Sequence, residues 1–155
     1  MNIRKASQKD IPTLVNFAIK LRKIEHTLSD KINCGNRTKQ FFEMVFNKYL
    51  DDKDHIFLVA EEEKIVGIAY GWKENIYPIY KNEYVGYIAD AIVDENERGK
   101  GTGKALVTAL EEEFKKMGLK ETKLLVLKNN MKAYGLWKEM NYEDLYIEMR
   151  KDLVR

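Results

Sequence analysis

Asp90-Ala91-Ile92-Val93-Asp94-Glu95-Asn96-Glu97-Arg98-Gly99-Lys100-Gly101-Thr102-Gly103-Lys104-Ala105-Leu106 decides how the rest of the chain is read. A run of β-branched and aromatic residues over 84–93 stops at a polar cluster and gives way to three glycines that open a helical pattern. That succession predicts a strand, a turn and a helix start. Without side chains at Gly99, Gly101 and Gly103, consecutive main-chain N–H groups can converge on one anion, and the positive end of the following helix adds to the attraction. Arg98, Lys100 and Lys104 supply further positive charge. The expected guest is a phosphate or pyrophosphate.

Elimination narrows the choice. A P-loop requires G-x-x-x-x-G-K-[ST], but Gly103-Lys104 is followed by Ala105 and Arg98 stands in place of the first glycine, so no hydroxyl remains for magnesium. The dinucleotide fingerprint G-x-G-x-x-G fails because Lys104, Ala105 and Leu106 follow the last glycine. Arg98, Gly101 and Gly103 do fit R-x-x-G-x-G, preceded by Val93 at the spacing V-x-x-x-x-R. This closely resembles the acyl-CoA pyrophosphate loop of the GNAT superfamily of N-acyltransferases. A flexible turn before a capped helix is the plain alternative for the motif by itself.

Composition bounds the remaining classes. With 155 residues, 45% of them hydrophobic, the chain can bury a core and is most simply one domain, 1–155. Lysine and arginine exceed aspartate and glutamate by two, 27 against 25, with the signs interspersed, so no nucleic-acid footprint is expected. The single cysteine, Cys34, excludes an internal disulfide, and His26 and His55 have no H-x-x-x-H spacing, so no metal site is expected. No signal-peptide core precedes the first elements, and no apolar run approaches the ~20 residues that span a bilayer. A cytoplasmic protein without membrane contact is expected.

In chain order the pattern predicts a strand over 2–6 and a helix from Asp10-Ile11-Pro12 to about His26, with Asp10 as its N-cap. A second helix over 38–50 places Phe41, Phe42, Val45, Phe46 and Tyr49 largely on one side, the phenylalanines as core. Strands over 55–61 and 64–72 form a hairpin, and an aromatic loop with Tyr77 and Tyr80 leads to the strand over 84–93. A helix over 102–117 follows, with Glu111–Lys115 and Glu112–Lys116 pairs, then a strand over 122–127, a helix over 130–139 and an alternating strand over 142–150. The order β-α-α-β-β-β-α-β-α-β defines an α+β fold, a mainly antiparallel central sheet flanked by helices. It resembles the GNAT order along essentially the whole chain.

The resemblance assigns roles. Residues 98–104, including Thr102, would hold the pyrophosphate of acetyl-CoA, and Asn130, in an N-x-x-A match with Ala133, would bond the pantetheine arm while also suiting a helix N-cap. Trp137 stands where many members carry the tyrosine that protonates the CoA thiolate. Its indole N–H can donate a hydrogen bond but is far too weak an acid. Tyr134, one turn earlier, is the substitute candidate, with CoA packing or core burial as the other reading and water as another proton source. The resemblance further implies a central strand that splays by a bulge, for which Gly86 is suited, exposing main-chain groups of Ala91, Ile92 and Val93 to the cofactor and to an oxyanion.

Attack on a thioester requires a neutral amine. Asp90 interrupts an apolar strand and is the first candidate to serve it; a strand-edge aspartate bonded to backbone or solvent is the other reading. Glu83 is the second candidate. Strand alternation without a bulge puts Tyr84 and Asp90 on one face and Glu83, Val85 and Tyr87 on the other. Trp72, Tyr77 and Tyr80 border the expected acceptor site, where aromatics clamp cations or simply pack. The expectation is an N-acetyltransferase acting on a primary amine of a small molecule by direct attack in a ternary complex. A non-catalytic acyl-CoA sensor, a protein N-terminal or lysine acetyltransferase, and a nucleotide-binding protein are the alternatives. Homodimerisation is implied by the resemblance alone.

Overall fold

The structure, a computed structural model, describes residues 1–154. Five strands form one sheet in the order β1 (Asn2–Lys5), β2 (His55–Glu61), β3 (Ile65–Asn75), β4 (Tyr84–Val93) and β5 (Thr122–Leu124). Every neighbouring pair is antiparallel except β4 and β5, which are parallel. The parallel pair is joined through helix α3 (Thr102–Lys116), the crossover that such a pair requires. Helices α1 (Ile11–Leu28) and α2 (Asn36–Tyr49) cover one face, and α4 (Met131–Glu139) follows β5. This is the α+β architecture expected from the sequence.

Each sheet face carries its own core. Phe57, Val59, Ile68, Tyr70 and Ile92 pack with Leu14, Ala18, Phe42 and Phe46 of α1 and α2. Ile56, Leu58, Ala69, Ile88 and Val93 pack with Leu106, Leu110 and Phe114 of α3. The alternation along the strands and the spacing along the helices thus sort apolar side chains to two sides of one sheet. Phe41 is a correction, for it is 53% exposed. Phe42 and Phe46 are one turn apart and share the buried stripe, while Phe41 sits off it.

Glycine explains how α3 lies so close. A Cβ on Gly86 would come within 2.4 Å of the Phe114 ring, and one on Gly71 within 2.1 Å of the Tyr87 carbonyl oxygen. Gly86 therefore makes room for Phe114 and is not the site of the bulge. The irregularity lies three residues on: Tyr70 pairs with Asp90 but Gly71 with Ile88, leaving Ala89 as the extra residue. The bulge also overturns the expected alternation. Asp90 bonds Tyr70, and Tyr87 packs on Trp72 at 4.8 Å between ring centroids, so Asp90 and Tyr87 share the α1 side.

Two further expectations are corrected at the far edge. The strand over 122–127 stops at Leu124, and 142–150 form no strand. Leu145, Ile147 and Met149 are 72%, 88% and 88% exposed. Alternation makes a segment competent for pairing, but a ladder needs a partner, and β5 presents only three residues. The segment is tied instead by side chains, Tyr146 to Tyr80 and Lys31 to Asp152. On α3 the lysines pair one residue closer than expected, Lys115 with Glu112 and Lys116 with Glu113, while Glu111 accepts from the Tyr142 hydroxyl at 2.7 Å.

Candidate active site

The parallel ladder between β4 and β5 holds only Gly86, Tyr87 and Ile88 against Thr122, Lys123 and Leu124. Beyond Ile88 the β4 edge that faces β5 has no strand beside it, so Ala89 to Val93 border an opening. Leu125, just past β5, is 70% exposed next to it. Ala91 is half-buried, and Ile92 and Val93 anchor the two cores on either side.

The opening leads to the glycine turn. Asp94 caps the short 3-10 turn Glu95–Glu97 by accepting from the Asn96 N–H. Gly99 and Gly101 then take left-handed backbone at φ of 79° and 84°, which only glycine adopts without strain. A Cβ on either would meet nothing within 4 Å. The first helical bond of α3 runs from the Ala105 N–H to the Gly101 carbonyl. The N–H groups of residues 99–104 make no hydrogen bond among the described residues, and Thr102, only 3% exposed, anchors the turn. Six free amides at a helix start form an anion cradle.

The cations around it are already partnered. Arg98 lies 3.4 Å from Glu95, Lys100 2.8 Å from Glu97 and Lys104 2.7 Å from Glu139. Exposed pairs of this kind are screened by solvent and hold weakly. A diphosphate can therefore displace the carboxylates at little cost.

On α4, Asn130 is the N-cap, its Oδ1 accepting from the Ala133 N–H at 3.2 Å. Its side-chain amide keeps its own donors. Tyr134 is half-buried and donates to Asp144 at 2.7 Å, and that bond raises its pKa. Trp137 is turned toward the α3 core and packs edge-on against Tyr142 at 5.3 Å.

Asp90 lies at the bulge, 5% exposed. Arg22 of α1 pairs with its Oδ1, and the Tyr70 hydroxyl donates to its Oδ2 at 2.7 Å. Burial pushes the Asp90 carboxyl up to about 6 against the opposing pull of Arg22 and Tyr70. Burial works to lower Arg22, but the carboxylates of Asp90 and Glu25 outweigh it and raise it. Arg22 Nη1 also faces Glu25 at 3.0 Å, and the ring of Phe42 lies 5.9 Å from the guanidinium carbon. Tyr70, buried beside Asp90, is held far above the ordinary phenol range.

Arg22, Glu25 and Tyr70 gather around Asp90, and sequence reading passed them over. Their signal was present. Arg22 and Glu25 are charges three apart, each directly following an apolar position of α1, Leu21 and Ile24, and Tyr70 is the one hydroxyl in the apolar run of β3. Glu83, in contrast, is exposed outside β4 and lies away from this cluster. Tyr77 is 75% exposed, whereas Trp72 lies within β3. No cluster of three or more potential metal-ligating acids, histidines or cysteines occurs among the described residues, and no helix there is long and apolar enough to cross a membrane.

The β4 edge that β5 leaves open past Ile88 thus lies beside a glycine turn with free amides. The acetyltransferase (GNAT) family model matches residues 21–142, and the chain belongs to that family of acetyltransferases. An uncharacterized N-acetyltransferase of Bacillus subtilis (strain 168), YycN, is 25% identical over 139 residues, covering 83% of this chain and 86% of its own. A predicted acetyltransferase of Clostridium acetobutylicum, solved with acetyl-CoA, superposes with a TM-score of 0.79 at 24% identity over 98% of this chain and 96% of that one. An aminoglycoside antibiotic 6'-N-acetyltransferase of Acinetobacter haemolyticus superposes with a TM-score of 0.73 at 16% identity, over 98% and 100% of the two chains. These two structural likenesses are likenesses of fold.

Proposed function

We propose that the chain transfers the acetyl group of acetyl-CoA to a primary amine of a small molecule, by direct attack within a ternary complex. The observation that carries this reading is the continuity between the free amides of residues 99–104 and the opening along β4 past Ile88. In this reading Arg98, Gly99, Lys100, Gly101, Thr102, Gly103 and Lys104 hold the pyrophosphate. The pantetheine arm runs along the opening beside Ala91, Ile92 and Val93, with the Asn130 amide as a donor and Trp137 as part of its wall. A main-chain N–H at the open edge stabilises the oxyanion of the tetrahedral intermediate.

Tyr134 is the proposed proton donor to the departing thiolate. A phenol is protonated at neutral pH, and the bond to Asp144 raises the Tyr134 pKa further. Asp90 serves the amine from behind Arg22 in this reading, since both of its oxygens are engaged. The small-molecule acceptor is favoured by the aminoglycoside acetyltransferases among the structural neighbours. The whole chain acts as one catalytic domain of the cytoplasm, as a monomer or homodimer.

The test is thiol release from acetyl-CoA with a panel of amines, beside calorimetric titration of CoA on the same preparation. Amine-dependent release is expected. Tight CoA binding without release across the panel would favour the non-catalytic acyl-CoA sensor, and absence of CoA binding would sink the assignment of residues 98–104.

A further inference from the structure

Two carboxylates converge on one guanidinium beside the bulge. Arg22 pairs with Asp90 through Nη2 and faces Glu25 through Nη1 at 3.0 Å. With both acids ionised, the group carries one negative charge without a partner.

The two acids differ in what can reach them. The Asp90 side chain is 3% exposed, with Arg22 on one oxygen and Tyr70 on the other. The Glu25 side chain keeps 17% exposure. Its Oε2 is buried against Arg22 without hydrogen-bond geometry, and its Oε1 makes no hydrogen bond among the described residues. A half-compensated carboxylate in such a place is costly, and a small cation seated against it removes the cost.

We propose that Glu25 meets the acceptor, binding the ammonium group of an aliphatic primary amine and taking its proton, with Arg22 and Asp90 as positioning residues. The inference rests on the acetyl-transfer reading above. A proton passes from the ammonium nitrogen to a Glu25 oxygen, and the freed lone pair forms the N–C bond at the thioester carbonyl. As the tetrahedral intermediate collapses, the C–S bond breaks and its electron pair leaves with sulfur. The second proton lost by nitrogen balances the thiolate, and the first returns from Glu25 to solvent. The groups facing Glu25 and its partners are Arg22 on α1, Asp90 on β4 and Tyr70 on β3. Burial raises the Glu25 carboxyl against the pull of Arg22, the direction a proton acceptor requires.

The test compares the full-length wild type, Glu25→Gln and Glu25→Asp with acetyl-CoA and two kinds of nucleophile. One is a set of alkyl diamines and aminoglycosides, protonated at neutral pH; the other is hydroxylamine, already neutral there. Glu25→Gln is expected to lower kcat/KM toward the protonated amines by about 10²-fold or more, the usual range for a lost general base. Transfer to hydroxylamine should change by less than about threefold, and CoA affinity should stay as in the wild type. Glu25→Asp should recover part of the loss. A merely structural glutamate would depress both nucleophiles together, and that result, or full alkylamine transfer by Glu25→Gln, overturns the proposal. If Glu25→Gln does not fold, the ratio of the two nucleophiles in Glu25→Asp decides, with an unchanged ratio counting against Glu25. A wild type that binds CoA but acetylates none of the protonated amines also overturns it. A wild type that fails to bind CoA overturns instead the reading beneath it.

Discussion

Two buried aspartates titrate in opposite directions, and the difference is who holds them. Asp10 accepts from the Ser7 N–H and hydroxyl, each at 2.8 Å, and from Arg4 at 2.8 Å. The Arg4 guanidinium, which Glu61 also grips, holds the Asp10 carboxyl well below the usual carboxylate range. Its contribution to stability is present above the ordinary value of 3.8 and is lost as pH falls below it through the folded-state pKa. Asp90 is raised from 3.8 to about 6, so the folded chain holds a proton there that the unfolded chain releases. Its contribution falls as pH rises through that window. Urea unfolding at pH 7 should show Asp10→Asn costing about 1.5–3 kcal/mol, the range for hydrogen bonds to charged groups. That cost should shrink at pH 3. Asp90→Asn should gain on the wild type between pH 4 and pH 7, and the opposite slope would contradict the burial argument. The sequence placed Asp10 at the N-cap position of α1, where it stands, but its carboxylate turns back to Ser7 and Arg4. Arg4 lies six residues away, and a cap motif cannot announce a partner on a neighbouring strand.

At the scale of elements, α3 is set against the sheet by two missing side chains. Gly86→Ala would drive a methyl group into the Phe114 ring, whose nearest atom is 2.4 Å from the Cβ position. Such overpacking typically costs about 1–3 kcal/mol. Thermal and urea unfolding should show that loss, and Phe114→Leu in the same chain should recover part of it, since the two positions touch and their effects are not additive. Full additivity would mean that Gly86 is required for another reason. This contact shows where legibility ends. Strand and helix periods are local, so β2 and β4 were read at their observed bounds, His55–Glu61 and Tyr84–Val93. A glycine's purpose depends on what approaches it from elsewhere, and Gly86 looked like a bulge because Phe114 lies 28 residues away. The glycine turn was legible for the converse reason: its three glycines, its cations and the helix it opens are contiguous. The cluster of Arg22, Glu25, Tyr70 and Asp90 draws on three elements and was visible only at Asp90.

For the whole molecule, cosubstrate binding would tie together parts that touch little in the free chain. The cradle at residues 99–104 belongs to the start of α3, the opening to β4 and β5, and the Asn130 amide to α4. Residues 143–154 are exposed and held by side-chain pairs. A ligand that bridges these elements and binds only the folded chain stabilises it by mass action, about 2.7 kcal/mol at a hundredfold excess over Kd. For a chain of this length that corresponds to a rise in Tm of roughly 5–10 °C. The rise should vanish in Gly101→Asp. There the new side chain would occupy the open space beside the amides, bring a negative charge to the anion cradle and force an L-residue into left-handed backbone at φ 84°. Strain alone would lower the starting Tm without removing the response to CoA. Loss of the response at a modestly lowered Tm therefore identifies the cradle as the binding site, and a full response in Gly101→Asp would place the pyrophosphate elsewhere.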